Sequence, residues 1–537
     1  MTFGAGALRA QQTTAPVIGS IYEPGIDVLD YDVRLVLPDT GAFLRGDVTV
    51  TARRAPTAAR LRLDLVDSMQ VRSVEVNGAR VRASHASNSL YVPLPAGGSD
   101  TVRVRVVYDG MVTDGLVVRK DAQGRWTWFG DNWPNRTRQW LPTVDHPSDK
   151  ATVSWTVRAP ERNVVVANGA SLGATHLTVG GRGVLETRWR ESKPIAPYLM
   201  VIAAAPMIRY ELPASACHRG EDGECVQQSV YVMPENRGWL PGVFTTTDGI
   251  VSLYERLVAP FPYEKLAHLQ SSTRFGGMEN ASAIFYDGKL FPAQKVSDDL
   301  LAHETAHQWF GDAVTEREWA HLWLSEGFAT YFAALWDRQA RGEAGYRDRL
   351  AKLRANILSD SAVAQRPVID TAQTDYMALL NANSYDKGGF VLSMLHRELG
   401  DSAFFRGIRS YYLAHRHGNA VSDDLRVALE QSSGRSLAQF FDQWLRRPGY
   451  AEPALGWAYD AASGTVSVFA LQEGRFGAFA LPLPVVVTDA ENVAHRLVVN
   501  LPAEPRGSAP LPGRFPRRPV SLSFDPDSTL LARIRRL

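Results

Sequence analysis

Residues 297–336 read SDDLLAHETAHQWFGDAVTEREWAHLWLSEGFATYFAALW, and this stretch decides how the rest of the chain is read. Ser297 is placed to cap a helix, with Asp298 and Asp299 in its first turn, where negative charge complements the helix dipole. Apolar Leu300, Leu301, Ala306, Trp309 and Phe310 carry the helical pattern on to Gly311, the expected stop. His303 and His307 are four apart, so their rings leave one face of that helix a turn apart. Two imidazoles so placed match Zn²⁺, which takes nitrogen, sulfur or carboxylate ligands at about 2.0–2.3 Å in a tetrahedron. Glu304 points roughly 100° away around the helix. It is therefore a poor ligand but is placed to reach water at the metal. Eighteen residues separate His307 from Glu326, which opens a second helical run behind Ser325, and a returning helix could deliver it as the third ligand. Two histidines and one glutamate leave a fourth position open, which is the catalytic arrangement and not the structural one.

Composition narrows the class without naming it. The chain has 537 residues, enough for two to four domains with sizeable cores, and its 45% hydrophobic and 21% charged shares are ordinary for a globular protein. With 58 basic and 57 acidic residues the formal charge is +1, so no electrostatic argument favours nucleic acid or an anionic membrane. No apolar run reaches the roughly eighteen residues of a membrane span. The nearest, residues 195–208, reads as a buried strand or core segment.

From residue 22 to 207 the apolar residues alternate with polar ones, as in YDVRLVL, GDVTVTARR and DTVRVRVVY, and Asn77-Gly78 is a hairpin signal. This predicts an antiparallel β domain over residues 21–208. Within it, residues 126–150 (WTWFGDNWPNRTRQWLPTVDHPSDK) carry four tryptophans without periodicity. Such rings bury a loop or a domain interface, or else wall a ligand pocket, with Asp131, Asn132 and Arg136 as the polar groups that would face it. From about residue 231 helical patterns take over, in LYERLVAPF, DRLAKLRANIL, GGFVLSMLHREL, FFRGIRSYYLAHR, DDLRVALEQSSG and LAQFFDQWLRR, with a few strands near residues 265–286. A mainly helical domain over 209–448 follows. After Pro448-Gly449-Tyr450 strands return, and residues 449–537 suit a small β-sandwich. The fold class is thus multidomain α+β.

Residues 1–20 form a leader that is either the tail of a secretory signal or an unstructured extension. Cys217 and Cys225 are the only cysteines, separated by HRGEDGE. They are a disulfide closing a small loop, which would place the protein in an oxidising compartment (periplasmic or secreted), or two independent thiols compatible with the cytoplasm.

A second stretch, Arg274-Phe275-Gly276-Gly277-Met278-Glu279-Asn280, adds selectivity. Two glycines suit an edge strand that a substrate backbone approaches closely, and a carboxylate just after them is placed to fix a cationic group. G-G-M-E-N, then H-E-T-A-H, then W-L-S-E-G-F-A resembles the M1 family of zinc aminopeptidases, the gluzincins that include aminopeptidase N and leukotriene A4 hydrolase. Order and spacing match, and the β domain, a thermolysin-like catalytic domain and the terminal β-sandwich correspond to three family domains. The resemblance implies one Zn²⁺ held by His303, His307 and Glu326, with Glu304 as general base. It implies that Glu279 binds the free α-ammonium of a peptide, with Gly276, Gly277, Met278 and Asn280 lining the peptide path. Ser384-Tyr385-Asp386-Lys387-Gly388-Gly389 resembles the family's Tyr-x-Lys-Gly segment, which makes Tyr385 the oxyanion donor.

Three departures stand out. Ser325 replaces the usual asparagine before the third ligand. The loop that in the family carries a glutamine or glutamate near the substrate amine here reads Gly130-Asp131-Asn132-Trp133, making Asp131 the expected substitute. No segment matches the helical fourth domain common in the family.

Overall fold

The computed structural model describes residues 21–97, 99–213 and 218–537. The leader and Cys217 lie outside the described residues; Cys225 is disulfide-bonded.

Period-two patterning builds the first layer. Eight strands form one sheet in the order Ala170–Val179, Arg182–Ile195, Ala151–Pro160, Ile26–Val36, Phe43–Arg54, Thr101–Met111, Met69–Val76, Ala79–Arg80. Tyr31, Val33 and Leu35, Val48 and Val50, and Val104 and Val106 are buried on its inner face, while the alternate Asp, Arg and Thr residues face outward. Asn77 and Gly78 turn the last hairpin with φ of 51° and 84°, as a two-residue primed turn requires. One pairing departs from the all-antiparallel expectation: Ile26–Val36 and Ala151–Pro160 run parallel, with Arg34 opposite Thr156. Alternation fixes which face is buried, not which strand is the neighbour. A second sheet, Val164–Ala167, Ile202–Ala205, Trp126–Gly130, Leu116–Lys120, holds the buried apolar run near residue 200 and delivers the aromatic loop at the end of Trp126–Gly130.

The middle of the chain starts from a five-stranded mixed sheet: β1 (Ile208–Glu211), β2 (Gln227–Val232), β3 (Lys265–Ser271), β4 (Gly277–Met278) and β5 (Ala283–Asp287), ordered β1-β2-β3-β5-β4. β4 pairs antiparallel with β5 and lies at the edge, so its other side is open. Helices α1 (Asp298–His307), α2 (Trp323–Ser359) and α3 (Gly388–His415) pack beside it. Ser297 caps α1, its hydroxyl accepting from the Leu300 amide at 3.2 Å. The helix ends at His307, four residues before Gly311, because residues 308–314 fold into tight turns such as Phe310 N–H to Ala306 O. α2 begins at Trp323, ahead of the expected start, and bends where Gly342 leaves helical geometry. α3 joins two expected helices across Gly400.

The C-terminal region is two facing sheets: Arg506–Pro510, Thr465–Leu471, Ala454–Asp460, Arg535–Arg536, and Ala494–Leu501, Leu481–Thr488, Ser521–Phe524. Val466, Val468, Leu483, Val485 and Val487 fill the space between them. Among the described residues no helix is long and apolar enough to cross a membrane.

Polar bonds tie the N-terminal β region to the helical layer. The Lys150 ammonium donates to the carbonyls of Asp312, Ala313 and Gly418 at 2.8–3.0 Å. The Asn168 amide donates to Leu199 O and Ala281 O, both at 2.8 Å, just beyond the G-G-M-E-N segment. Buried amides satisfied on both sides fix that segment in place.

Candidate active site

α1 presents His303 and His307 a turn apart, and α2 returns to bring Glu326 against both. The two Nε2 atoms are 3.1 Å apart, and Glu326 Oε2 lies 3.3 Å from His303 Nε2 and 3.4 Å from His307 Nε2. Ligands held at about 2.0–2.1 Å by a tetrahedral ion are roughly 3.3 Å from each other. The triangle already has that size. Glu326 Oε2 is buried and makes no hydrogen bond, while Oε1 accepts from the Tyr385 hydroxyl at 2.8 Å. A buried carboxylate oxygen aimed at two imidazole nitrogens suits a cation between them. The donor set fits zinc.

Neighbouring groups hold these ligands. His307 Nδ1 is bonded by Phe310 O at 3.1 Å and Ser325 Oγ at 3.0 Å, which turns Nε2 into the site. Ser325 thus contributes directly, although sequence marks it only as a departure. His303 stacks on the Tyr385 ring, with centroids 6.0 Å apart. Glu326 meets Tyr385 because α2 and α3 touch through glycines. A Cβ on Gly327 would come within 2.9 Å of Gly388 backbone atoms.

Glu304 leaves the far side of α1 toward the edge strand. A Cβ on Gly277 would lie 2.1 Å from Glu304 Oε1, so the side-chain-free strand makes room for the carboxylate. Glu279 comes directly after that strand, its carbonyl accepting from Gln308 Nε2 at 2.7 Å. Donor atoms of Glu279, Glu304 and His307 all lie within 4.8 Å of one another. Burial pushes Glu304 well above the usual carboxylate range; His307 opposes the rise and Glu279 and Glu326 add to it. Burial also raises Glu279, against the pull of His307. Burial works against ionised Glu326 as well, but the charge of His307 and the close approach of both imidazoles outweigh it and hold the group at about 2.

These groups line one cavity of about 420 Å³ with Trp133, Phe275, Gly276, Gly277, Met278 and Tyr385. Asp299, Leu300, Arg349, Leu353 and Asp386 also line it. Arg349, the one arginine or lysine lining it among the described residues, pairs with Asp299 and with Asp337 at 2.8 Å. No sequence motif marks Arg349, which enters only because α2 bends at Gly342.

Two expected residues are not in the lining. Asn280 is fully buried behind the strand. Asp131 is fully buried, with Oδ1 2.8 Å from Arg136 and Oδ2 3.2 Å from Arg274, so it faces guanidinium groups and not the cavity. Asn132 also points away, bonded to Trp140 Nε1 and Met200 O. The residue that this loop contributes to the cavity is Trp133.

The description "Peptidase family M1 domain" matches residues 245–444, and "Peptidase M1 N-terminal domain" matches residues 30–199. An aminopeptidase N of Streptomyces lividans is 27% identical over 79% of this chain and 50% of its own length. Tricorn protease-interacting factor F2 of Thermoplasma acidophilum is 27% identical over 80% of this chain and 54% of its own length. The chain therefore spans about half the length of these curated relatives. An M1 zinc metallopeptidase of Deinococcus radiodurans, crystallised as a variant with a Tyr-Ser-Ala substrate, superposes with a TM-score of 0.68. It is 27% identical, over 78% of this chain and 94% of that one. Two matching family domains, covering most of the chain between them, and the geometry of α1 and α2 lead to one conclusion: this protein belongs to peptidase family M1.

Proposed function

We propose that the protein is a zinc-dependent aminopeptidase that releases the N-terminal residue of peptides. The observation that carries this reading is the triangle of His303, His307 and Glu326 donors beside two carboxylates, Glu279 and Glu304, that have no arginine or lysine partner among the described residues. A zinc ion in that triangle supplies Lewis acidity, polarising the scissile carbonyl and making water a nucleophile at neutral pH.

The protein's own groups do the rest. Glu279 takes the α-ammonium of the substrate and so sets cleavage one residue from the amino end. The open side of β4, at Gly276, Gly277 and Met278, offers backbone groups to the peptide. Glu304, its carboxylate set against Gly277 of the edge strand, accepts a proton from the attacking water and passes it to the leaving amine. The Tyr385 hydroxyl, which donates to Glu326 here, changes partner to donate to the developing oxyanion.

The substrates are peptides with a free amino terminus. The disulfide at Cys225 favours an oxidising compartment, periplasmic or secreted; resistance of Cys217 and Cys225 to alkylation without reductant is the check. A screen of aminoacyl-4-nitroanilides and their N-acetyl forms, with and without chelator, tests the activity. Free-amine substrates should turn over only without chelator, and blocked ones not at all. Cleavage of blocked peptides at internal bonds would make the protein an endopeptidase instead.

A further inference from the structure

We propose that Trp133, with Phe275 and Met278, walls the pocket for the substrate's first side chain and makes the enzyme selective for large apolar first residues. This rests on the aminopeptidase reading and names the substrate class for the same site.

With the α-ammonium on Glu279 and the scissile carbonyl at the metal triad, the first residue's Cα sits between them. Its side chain then leaves toward the residues that flank Glu279 in the cavity. Those are Phe275 and Met278 from the segment that carries Glu279 and Trp133 from the aromatic loop. The polar part of the lining, with Asp299, Arg349 and Asp386, is left for residues after the cleaved bond.

The Trp133 ring is built in. It is 3% exposed and meets Phe275 edge-on at 6.2 Å and Trp319 at 5.4 Å. Arg136 fixes the loop beneath it, donating to Trp133 O at 2.8 Å while its other nitrogens hold Asp114 and Asp131. A ring fixed by packing costs little to order when a ligand arrives. Because Asp131 is committed to Arg136 and Arg274, the loop supplies no second carboxylate to the amine. Glu279 alone anchors charge, and discrimination passes to apolar contact.

The test compares leucine with alanine as the first residue in the zinc-loaded wild type, Trp133→Ala and Trp133→Phe. The ratio of kcat/KM on the two 4-nitroanilides is read beside the ratio of equilibrium affinities for free L-leucine and L-alanine by calorimetry. The wild type should favour leucine by tenfold or more, roughly the scale of a few buried methylenes. Trp133→Ala should cut that ratio about tenfold, and Trp133→Phe should restore most of it. A ratio unchanged within about twofold in Trp133→Ala, with zinc retained, overturns the assignment. If no free-amine anilide is turned over, the aminopeptidase reading falls, and the binding ratios still decide whether Trp133 reads the side chain.

Discussion

Glu279 and Glu304 lie on one side of the loop–strand junction and Asp131 on the other, and all three are buried, at 7%, 5% and 0% exposure. Asp131 sits between the guanidinium groups of Arg136 and Arg274, both of which also reach Asp114. Among the described residues Glu279 and Glu304 have no such partner, and burial raises both. A buried carboxylate with its cations supplied by the fold is a fastening. One left without them, facing a cavity, waits for a cation carried by a ligand. The two regions are a few residues from each other in space, yet their chemistry is set by where arginines fall.

The largest break in this contrast comes from Glu304. Replacing it with Gln keeps the shape but removes the base, and kcat should fall by about 10²–10⁴, with zinc content unchanged. Steady-state kinetics with metal analysis checks this, and loss of zinc would mean that Glu304 is structural instead. For Glu279→Ala the loss should appear mainly in KM. Removing one partner of a buried charge pair is worth about 2–5 kcal/mol, or roughly 30- to 5,000-fold in kcat/KM on free-amine anilides.

Asp131→Asn should do the reverse, leaving KM within about twofold while lowering unfolding free energy by about 1–3 kcal/mol. That is less than the full cost of breaking a buried pair, because Asp114 still holds both arginines. A large KM change in this variant would return Asp131 to the substrate site.

Glu316 sharpens the comparison as a third case. It is fully buried, both its oxygens lack hydrogen bonds, and it does not line the cavity. Burial pushes it up to about 8. The folded state therefore keeps a proton that the unfolded chain releases at its ordinary carboxylate pKa. Between that pH and 8 the native protein binds more protons, so this group lowers stability as pH rises. In thermal unfolding, Glu316→Gln should gain on the wild type progressively from about pH 5 to 8, at most about 1.4 kcal/mol per pH unit. A constant difference across that range would show that Glu316 is not held neutral.

The histidine pair of the candidate metal triad is legible in sequence because about four residues make one helical turn, so His303 and His307 declare their shared face without tertiary information. Glu326 is legible only as a candidate that the resemblance strengthens, since nothing in an eighteen-residue gap says that α2 must return to α1. Asp131 and Trp133 show the limit. They lie in an aperiodic loop, where the direction of each side chain is set by distant partners: Arg274 for Asp131, Phe275 and Trp319 for Trp133. Arg349 reaches the cavity through a bend at Gly342 that no periodicity announces. The strands were readable from alternation, but the parallel neighbour of Ile26–Val36 comes from a segment over a hundred residues away.

Zinc stoichiometry in the wild type and in Glu326→Ala is the most direct test of the metal centre. The wild-type protein should carry one zinc per chain after dialysis, and Glu326→Ala should lose most of it together with hydrolysis of leucyl-4-nitroanilide. One tightly held zinc per chain in Glu326→Ala, with activity intact, would contradict the assignment.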